Sequence, residues 1–218
     1  MKKSTTPLLA WYDEHKRELP WRKTKDPYAV WISEIMLQQT RVTAVVPYYE
    51  RWMTELPDVF ALAEVDEERL MKLWQGLGYY SRARNLKKAA ALIVSDHGGR
   101  FPDTYDELLK LPGVGEYTAG AVASIAFSRK VSAVDGNLLR IAARLCNIRE
   151  NILDGKVKKA MAAALDEVVP SDRPGEFNQA LMDLGATVCL PNGAPRCEVC
   201  PLAMLCEARR LGIQAELP

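Results

Sequence analysis

Histidine, excess charge of either sign and long apolar runs are all scarce in this 218-residue chain, and each shortage closes a route. Only two histidines occur, His15 and His97, and neither has the partner pattern of a Ser-His-Asp or Cys-His catalytic site. Lys and Arg number 29 against 28 Asp and Glu. A strongly basic total is the usual footprint of nucleic-acid binding, so any such role must rest on a local basic face. No apolar run approaches the roughly 20 residues of a membrane span. The first seventeen residues open like a secretion signal but lack its apolar stretch. P-loop and dinucleotide fingerprints are missing, so nucleotide hydrolysis and hydride transfer have no support. No repeat, low-complexity segment or long linker interrupts the chain. These shortages lead us to expect a soluble, cytoplasmic protein.

What is present is apolar and helical. Apolar residues make up 48% of the chain, enough for a sizeable core. Asp26-Pro27 reads as an N-cap with proline at the first helical position, opening a helix over Tyr28 to Gln38. Asp66 caps a helix through Trp74, which Gly76 and Gly78 stop. Ser81 caps a basic, alanine-rich helix to His97 before Gly98-Gly99. Further helices are expected from Asp103 or Thr104 to Leu111, and over Glu116 to Ser128, Gly136 to Cys146, Gly155 to Val168 and Gly175 to Val188. Period-two alternation is nearly absent, so no substantial sheet is expected.

Four constellations carry chemistry. Leu111-Pro-Gly-Val-Gly-Glu-Tyr-Thr-Ala-Gly120 reads as helix, glycine hairpin, helix. Gly113 and Gly115 permit backbone angles closed to other residues and remove side chains that block close approach. The amides opening the second helix then suit an anion such as a DNA phosphate; a plain helix-turn-helix corner has the same pattern. Val134-Asp-Gly-Asn137 follows, and by itself it is an N-cap. In Trp31-Ile-Ser-Glu-Ile-Met-Leu-Gln-Gln-Thr40, Glu34 sits among Trp31, Ile35 and Leu37. An apolar setting raises a carboxyl's pKa and suits it to general acid work, whereas a solvated glutamate is the commoner case. Cys189, Cys197, Cys200 and Cys206 fall in the last thirty residues. Four clustered thiols outside a secreted scaffold read as metal binding. A single C-x2-C with unequal gaps favours a four-iron cluster over zinc. Cys146 stands apart and reads as core.

These elements, in this order, resemble the endonuclease III superfamily of helix-hairpin-helix DNA glycosylases, from about Leu19 to Leu211. Leu19-Pro-Trp-Arg22, Asp26-Pro-Tyr28, the Trp31–Thr40 run, Gln75-Gly-Leu-Gly-Tyr-Tyr-Ser-Arg-Ala-Arg-Asn-Leu86 and Phe177-Asn-Gln-Ala-Leu-Met-Asp-Leu-Gly185 are similar to its adenine-specific branch, the MutY family. The resemblance implies that Glu34 protonates an extruded adenine and then activates water, while Asp135 stabilises positive charge on the deoxyribose. Two carboxyls about one glycosidic bond is the logic of glycoside hydrolysis, and the base must first leave the stack. Strand-cutting relatives carry a lysine two positions beyond the second hairpin glycine. Tyr117 stands there, implying a monofunctional enzyme of base excision repair. By the same comparison Arg22, Trp21, Tyr117, Asn137 and Gln179 border the adenine pocket, and Gln39, Leu77 and Tyr79 insert near the facing base. Gly113 and Gly115 meet the DNA phosphate, with Arg82 and Arg84 as further candidates. Cys189, Cys197, Cys200 and Cys206 hold one four-iron four-sulfur cluster. The first cysteine gap is one residue longer than the family's usual spacing, an insertion that falls in the turn-rich loop 190–196.

The expected fold is all-α and two-lobed. Residues 24–133 form a six-helix lobe with the hairpin, and 1–23 plus 134–218 form an iron-sulfur lobe, with Glu34 and Asp135 facing a cleft. The family's C-terminal 8-oxoguanine recognition domain has no counterpart in these residues. The expected partner is double-stranded DNA with adenine opposite 8-oxoguanine or guanine, bound by a monomer associated with the bacterial nucleoid, without a membrane. A thymine-removing glycosylase, a bifunctional lyase and a non-catalytic DNA-binding module are the alternatives.

Overall fold

The computed structural model describes residues 2–191 and 194–218. Regular structure among them is helical, with no strand. In chain order the helices are α1 (Thr5–His15), α2 (Pro27–Leu37), α3 (Val42–Glu55), α4 (Val59–Glu64), α5 (Glu67–Trp74), α6 (Ser81–His97), α7 (Tyr105–Leu108), α8 (Glu116–Phe127), α9 (Gly136–Cys146), α10 (Gly155–Val168), α11 (Pro174–Thr187) and α12 (Glu207–Leu211). The chain divides into two compact units, Glu18–Phe127 and Met1–Arg17 joined with Ser128–Pro218. Both divisions fall a few residues before positions 24 and 134.

Short polar side chains set half of the helix starts. Asp26 accepts from the amides of Tyr28 and Ala29 at 3.3 and 3.2 Å, with Pro27 at the first helical position. Asp58, Asp66, Asp135 and Asp154 cap α4, α5, α9 and α10 in the same way. Thr104 accepts from the Glu107 amide and donates to the Glu107 carboxylate at 2.7 Å, capping α7. Each such cap stabilises its helix by about 1 kcal/mol. Ser81, by contrast, is the first residue inside α6 and Tyr80 is the cap. The left-handed turn at Tyr79 starts the helix one residue early, with the Arg82 amide bonded to the Tyr79 carbonyl at 2.9 Å.

In the unit Glu18–Phe127, α2 packs on α3 and α8, and α4 on α6. Trp31, Trp52 and Trp74 are fully buried there. Trp52 and Trp74 meet edge-on at 5.5 Å. The Trp52 indole donates to the Tyr28 hydroxyl, which donates to the Leu56 carbonyl at 2.7 Å, so the polar tips of Trp52 and Tyr28 are satisfied.

The hairpin between α7 and α8 justifies one of its glycines on conformational grounds. Gly113 has φ +77°, and a Cβ there would lie 2.7 Å from Asn85 Cβ. Gly115 has an ordinary φ and nothing within 4 Å, so its use is to leave the backbone uncovered.

In the other unit, α1 and α9 pack against α11, and α12 and α10 against α9. The segment leading to Asp135 is pinned from two helices. Asn178 on α11 donates to the Val131 carbonyl at 2.9 Å and accepts from the Ala133 amide at 3.0 Å. Asp166 on α10 accepts from the Ser132 amide and hydroxyl at 2.7 and 2.6 Å.

We expect Gly113→Ala to lower unfolding stability by about 1–2 kcal/mol, the cost of a left-handed non-glycine residue, with the Asn85 clash added. Gly115→Ala should change it by less than about 0.5 kcal/mol, the range of an unstrained surface substitution. Denaturant unfolding of the two variants measures both.

Candidate active site

Glu34 projects from α2 and is 5% exposed. Its Oε2 accepts a 2.6 Å hydrogen bond from the hydroxyl of Tyr117, the second residue of α8. The hairpin thus delivers a phenol, not an amine, to a buried carboxyl. Gln38, at the end of α2, donates to Thr118 Oγ at 3.3 Å and ties the same two helices. Arg22 lies half-buried in the turn Pro20–Arg22. Trp21 beside it is buried and packs edge-on against Tyr49 at 5.3 Å.

Three residues of this unit were expected to insert into DNA. Gln39 and Tyr79 are exposed, Tyr79 at 64%. Leu77 is buried at 6%, where its apolar side chain is shielded from water. Arg82, read from the sequence as a phosphate contact, is instead 8% exposed. Both its terminal nitrogens donate to backbone carbonyls, which leaves them none to offer an anion. Arg84 is exposed and pairs with Glu67 at 3.1 Å.

Asp135 caps α9. Its Oδ1 accepts from the Leu138 amide and its Oδ2 from Asn137 Nδ2, both at 2.8 Å. Burial pushes its pKa above the ordinary value, against the lowering effect of these bonds and of the Arg140 charge. Arg140, one turn along α9, donates to Asn137 Oδ1 at 2.8 Å and to the carbonyls of Gly185 and Cys189, both at 3.0 Å. Gly185 permits this: a Cβ there would lie 2.6 Å from Asn137 Cβ. Gln179 on α11 accepts from the Tyr12 hydroxyl at 2.6 Å.

The four clustered cysteines line one pocket, together with Arg144, Pro195, Arg196 and Arg209. Arg144, buried at 3%, donates to Cys189 Sγ at 3.4 Å and to the Leu190 carbonyl at 2.8 Å. Cys206 Sγ donates to the Arg144 carbonyl. Four thiols facing one space, with a cation beside them, are the donor set that an anionic iron-sulfur centre requires. Among the described residues no three acidic, histidine or cysteine groups are drawn into a closed metal shell. The thiols match the cluster in kind. Burial pushes Cys200 up to about 11, so binding a metal there displaces a proton. Of the longer loop 190–196, Asn192 and Gly193 lie outside the described residues. Cys146 is exposed, not core, because α9 turns its last residue outward.

Sequence reasoning missed Tyr12, Arg140, Arg144 and Asn178. Arg140 and Arg144 carried a signal, since i and i+4 on α9 share a face with Gly136. Asn178 carried none beyond its place in a motif.

A model of the HhH-GPD superfamily of base excision DNA repair proteins matches residues 32–170. The rat adenine DNA glycosylase is 46% identical over 212 residues, covering 93% of this chain and 41% of the rat protein. The chain thus spans about two fifths of that relative. A thermostable thymine-DNA glycosylase structure superposes with a TM-score of 0.86 at 30% identity, covering 96% of this chain and 97% of that one. A trapped endonuclease III–DNA covalent intermediate superposes with a TM-score of 0.80 at 25% identity, covering 98% and 99%. With its helical hairpin, its buried carboxyl and a match running through most of its length, the chain is a member of the HhH-GPD superfamily of base excision DNA repair proteins.

Proposed function

We propose that this chain is a monofunctional DNA glycosylase that hydrolyses the N-glycosidic bond of adenine opposite 8-oxoguanine or guanine. The observation that carries the reading is the buried Glu34 held by the Tyr117 hydroxyl. A carboxyl in that setting can pass a proton to a base nitrogen and take one from water. Asp135 supplies the second role: an anion facing a sugar that becomes positive as the bond breaks. Tyr117 has no amine to form a Schiff base, which argues against strand cleavage. Arg22, Trp21, Asn137 and Gln179 are assigned to the adenine pocket. Gln39 and Tyr79 are assigned to the base stack, and the Gly113–Gly115 amides to a phosphate. The adenine assignment leans on curated relatives with higher identity than the thymine-DNA glycosylase structure. That structure nevertheless favours thymine opposite guanine as the second reading. Cytoplasmic DNA is the expected setting, and no described helix is long and apolar enough to cross a membrane.

Cys189, Cys197, Cys200 and Cys206 would hold a four-iron four-sulfur cluster. When bound it supplies a rigid, charged fixed point for the loop and for the α9 arginines, and no step of base removal passes through it.

A duplex with adenine opposite 8-oxoguanine should yield breaks only after alkali, and Glu34→Gln should reduce them by at least about a hundredfold. Breaks without alkali would mean a lyase. Cys200→Ser should lose bound iron and the visible absorption of the cluster, and weaken DNA binding. A variant without iron that binds and cleaves normally would remove the cluster's positioning role. Because Asp135 must be ionised to act, the acid side of the rate profile should lie above the ordinary 3.8. Loss of the Asn137 hydrogen bond, which favours the carboxylate, should push that limb further up. An Asn137→Ala profile that moves to lower pH or not at all contradicts this assignment.

A further inference from the structure

Four non-glycine residues in the described chain have left-handed backbones: Gln39, Tyr79, Ser128 and Asn147. Asn147 simply ends α9 as its C-cap. Gln39 (φ 57°), Tyr79 (φ 46°) and Ser128 (φ 54°) are all exposed and of types not enriched in this conformation, and Gln39 and Tyr79, far apart in sequence, share a neighbour. A strained residue persists only where its surroundings hold it, and such strain gathers at functional surfaces.

One side chain reaches both. Arg82 Nη1 donates to the carbonyls of Ile35, Met36 and Gln38 at 2.8, 3.1 and 2.6 Å. Its Nη2 donates to the carbonyls of Leu77 and Gly78 at 2.9 and 3.2 Å. The Gln38 and Gly78 carbonyls lie in the peptide planes that directly precede Gln39 and Tyr79. Holding each plane restricts the φ that follows it. The Ile35 and Met36 carbonyls are among those an α-helix leaves unpaired at its C-terminus, and a cation is favoured there. The guanidinium also lies over the rings of Trp74 and Tyr79, at 5.2 and 5.7 Å, and Trp74 Nε1 donates to the same Gly78 carbonyl at 2.9 Å.

We propose that Arg82 is a positioning residue whose planar fork locks the 38–39 and 78–79 peptides together, holding Gln39 and Tyr79 in the strained presentation that enters DNA. The fork is essential. A lysine carries the charge but is a point donor on a flexible stem and cannot span two sets of carbonyls. The inference rests on the proposed reading of Gln39 and Tyr79 as inserting residues for its consequence, and on backbone geometry alone for its cause. The test separates the two.

In Arg82→Lys, amide exchange should accelerate at residues 38–41 and 77–80, with the rest of the unit Glu18–Phe127 unchanged. Single-turnover base release at saturating enzyme should fall by about a hundredfold, the scale of a small misplacement. A fluorescent adenine analogue placed next to the target should report less unstacking. Unchanged exchange in those two segments overturns the clamp, as does acceleration spread evenly over the unit. Clamp-specific exchange changes in a protein that releases no base leave the clamp standing and sink only the glycosylase reading. Because Arg82 is buried and the lysine variant can fail to fold, Gln39→Gly and Gln39→Ala are compared in the otherwise unaltered chain. The glycine variant should melt higher, since only it relieves the left-handed strain; equal midpoints overturn the proposal.

Discussion

A polar or charged group removed from water must find its partners inside the protein, and that requirement organises this chain. Glu34 sits among apolar residues and is met by the Tyr117 hydroxyl. Asp135 is met by an amide and by Asn137, which Arg140 orients in turn. Arg82 finds its partners in backbone carbonyls, and Arg144 in Leu190, Leu217 and Cys189. These contacts fix their neighbours because the alternative, an unpaired group in an apolar interior, costs several kcal/mol. The proposed chemistry needs such groups held in one orientation and shielded from competing partners. The same constraint therefore serves both stability and function.

The second unit shows how far such a chain of contacts extends. Helix α9 begins at Asp135, carries Asn137 and Arg140 in its first turns and ends near Arg144 and the cysteine pocket. Gly185 lets α11 close on Asn137 with no Cβ between, and Asn178, on the same helix, pins the segment before Asp135. The aspartate is thus placed by α9, by α11 and by the Cys189 backbone at once.

Much of the fold was legible because its signals are local. Asp26-Pro27, Asp66, Thr104 and Asp135 announce helix starts through side-chain hydrogen bonds spanning two or three residues, and the helices follow. Helix α3 was missed because Pro47 lies inside it among β-branched residues that disfavour helix, and its stability comes from burying Val45, Tyr49 and Trp52. Motif order pointed to the carboxylates and cysteines, and the structure buries Glu34 and lines one pocket with the four thiols. Arg82 was not, since basic residues on a helix are usually solvated. Only the tertiary meeting of α2's end with the loop before α6 turns it inward. Gly115 was misjudged because a Gly-X-Gly hairpin does not say which glycine takes the unusual angle, and the fold gives it to Gly113.

The central claim is that this chain removes adenine, with Glu34 as its acid. The most direct measurement is chromatography of the free base released under single-turnover conditions from three duplexes: adenine opposite 8-oxoguanine, adenine opposite guanine, and thymine opposite guanine. The account predicts free adenine from the first two and none of the thymine from the third. Thymine release without adenine would contradict it and favour the activity of the structurally similar thymine-DNA glycosylase.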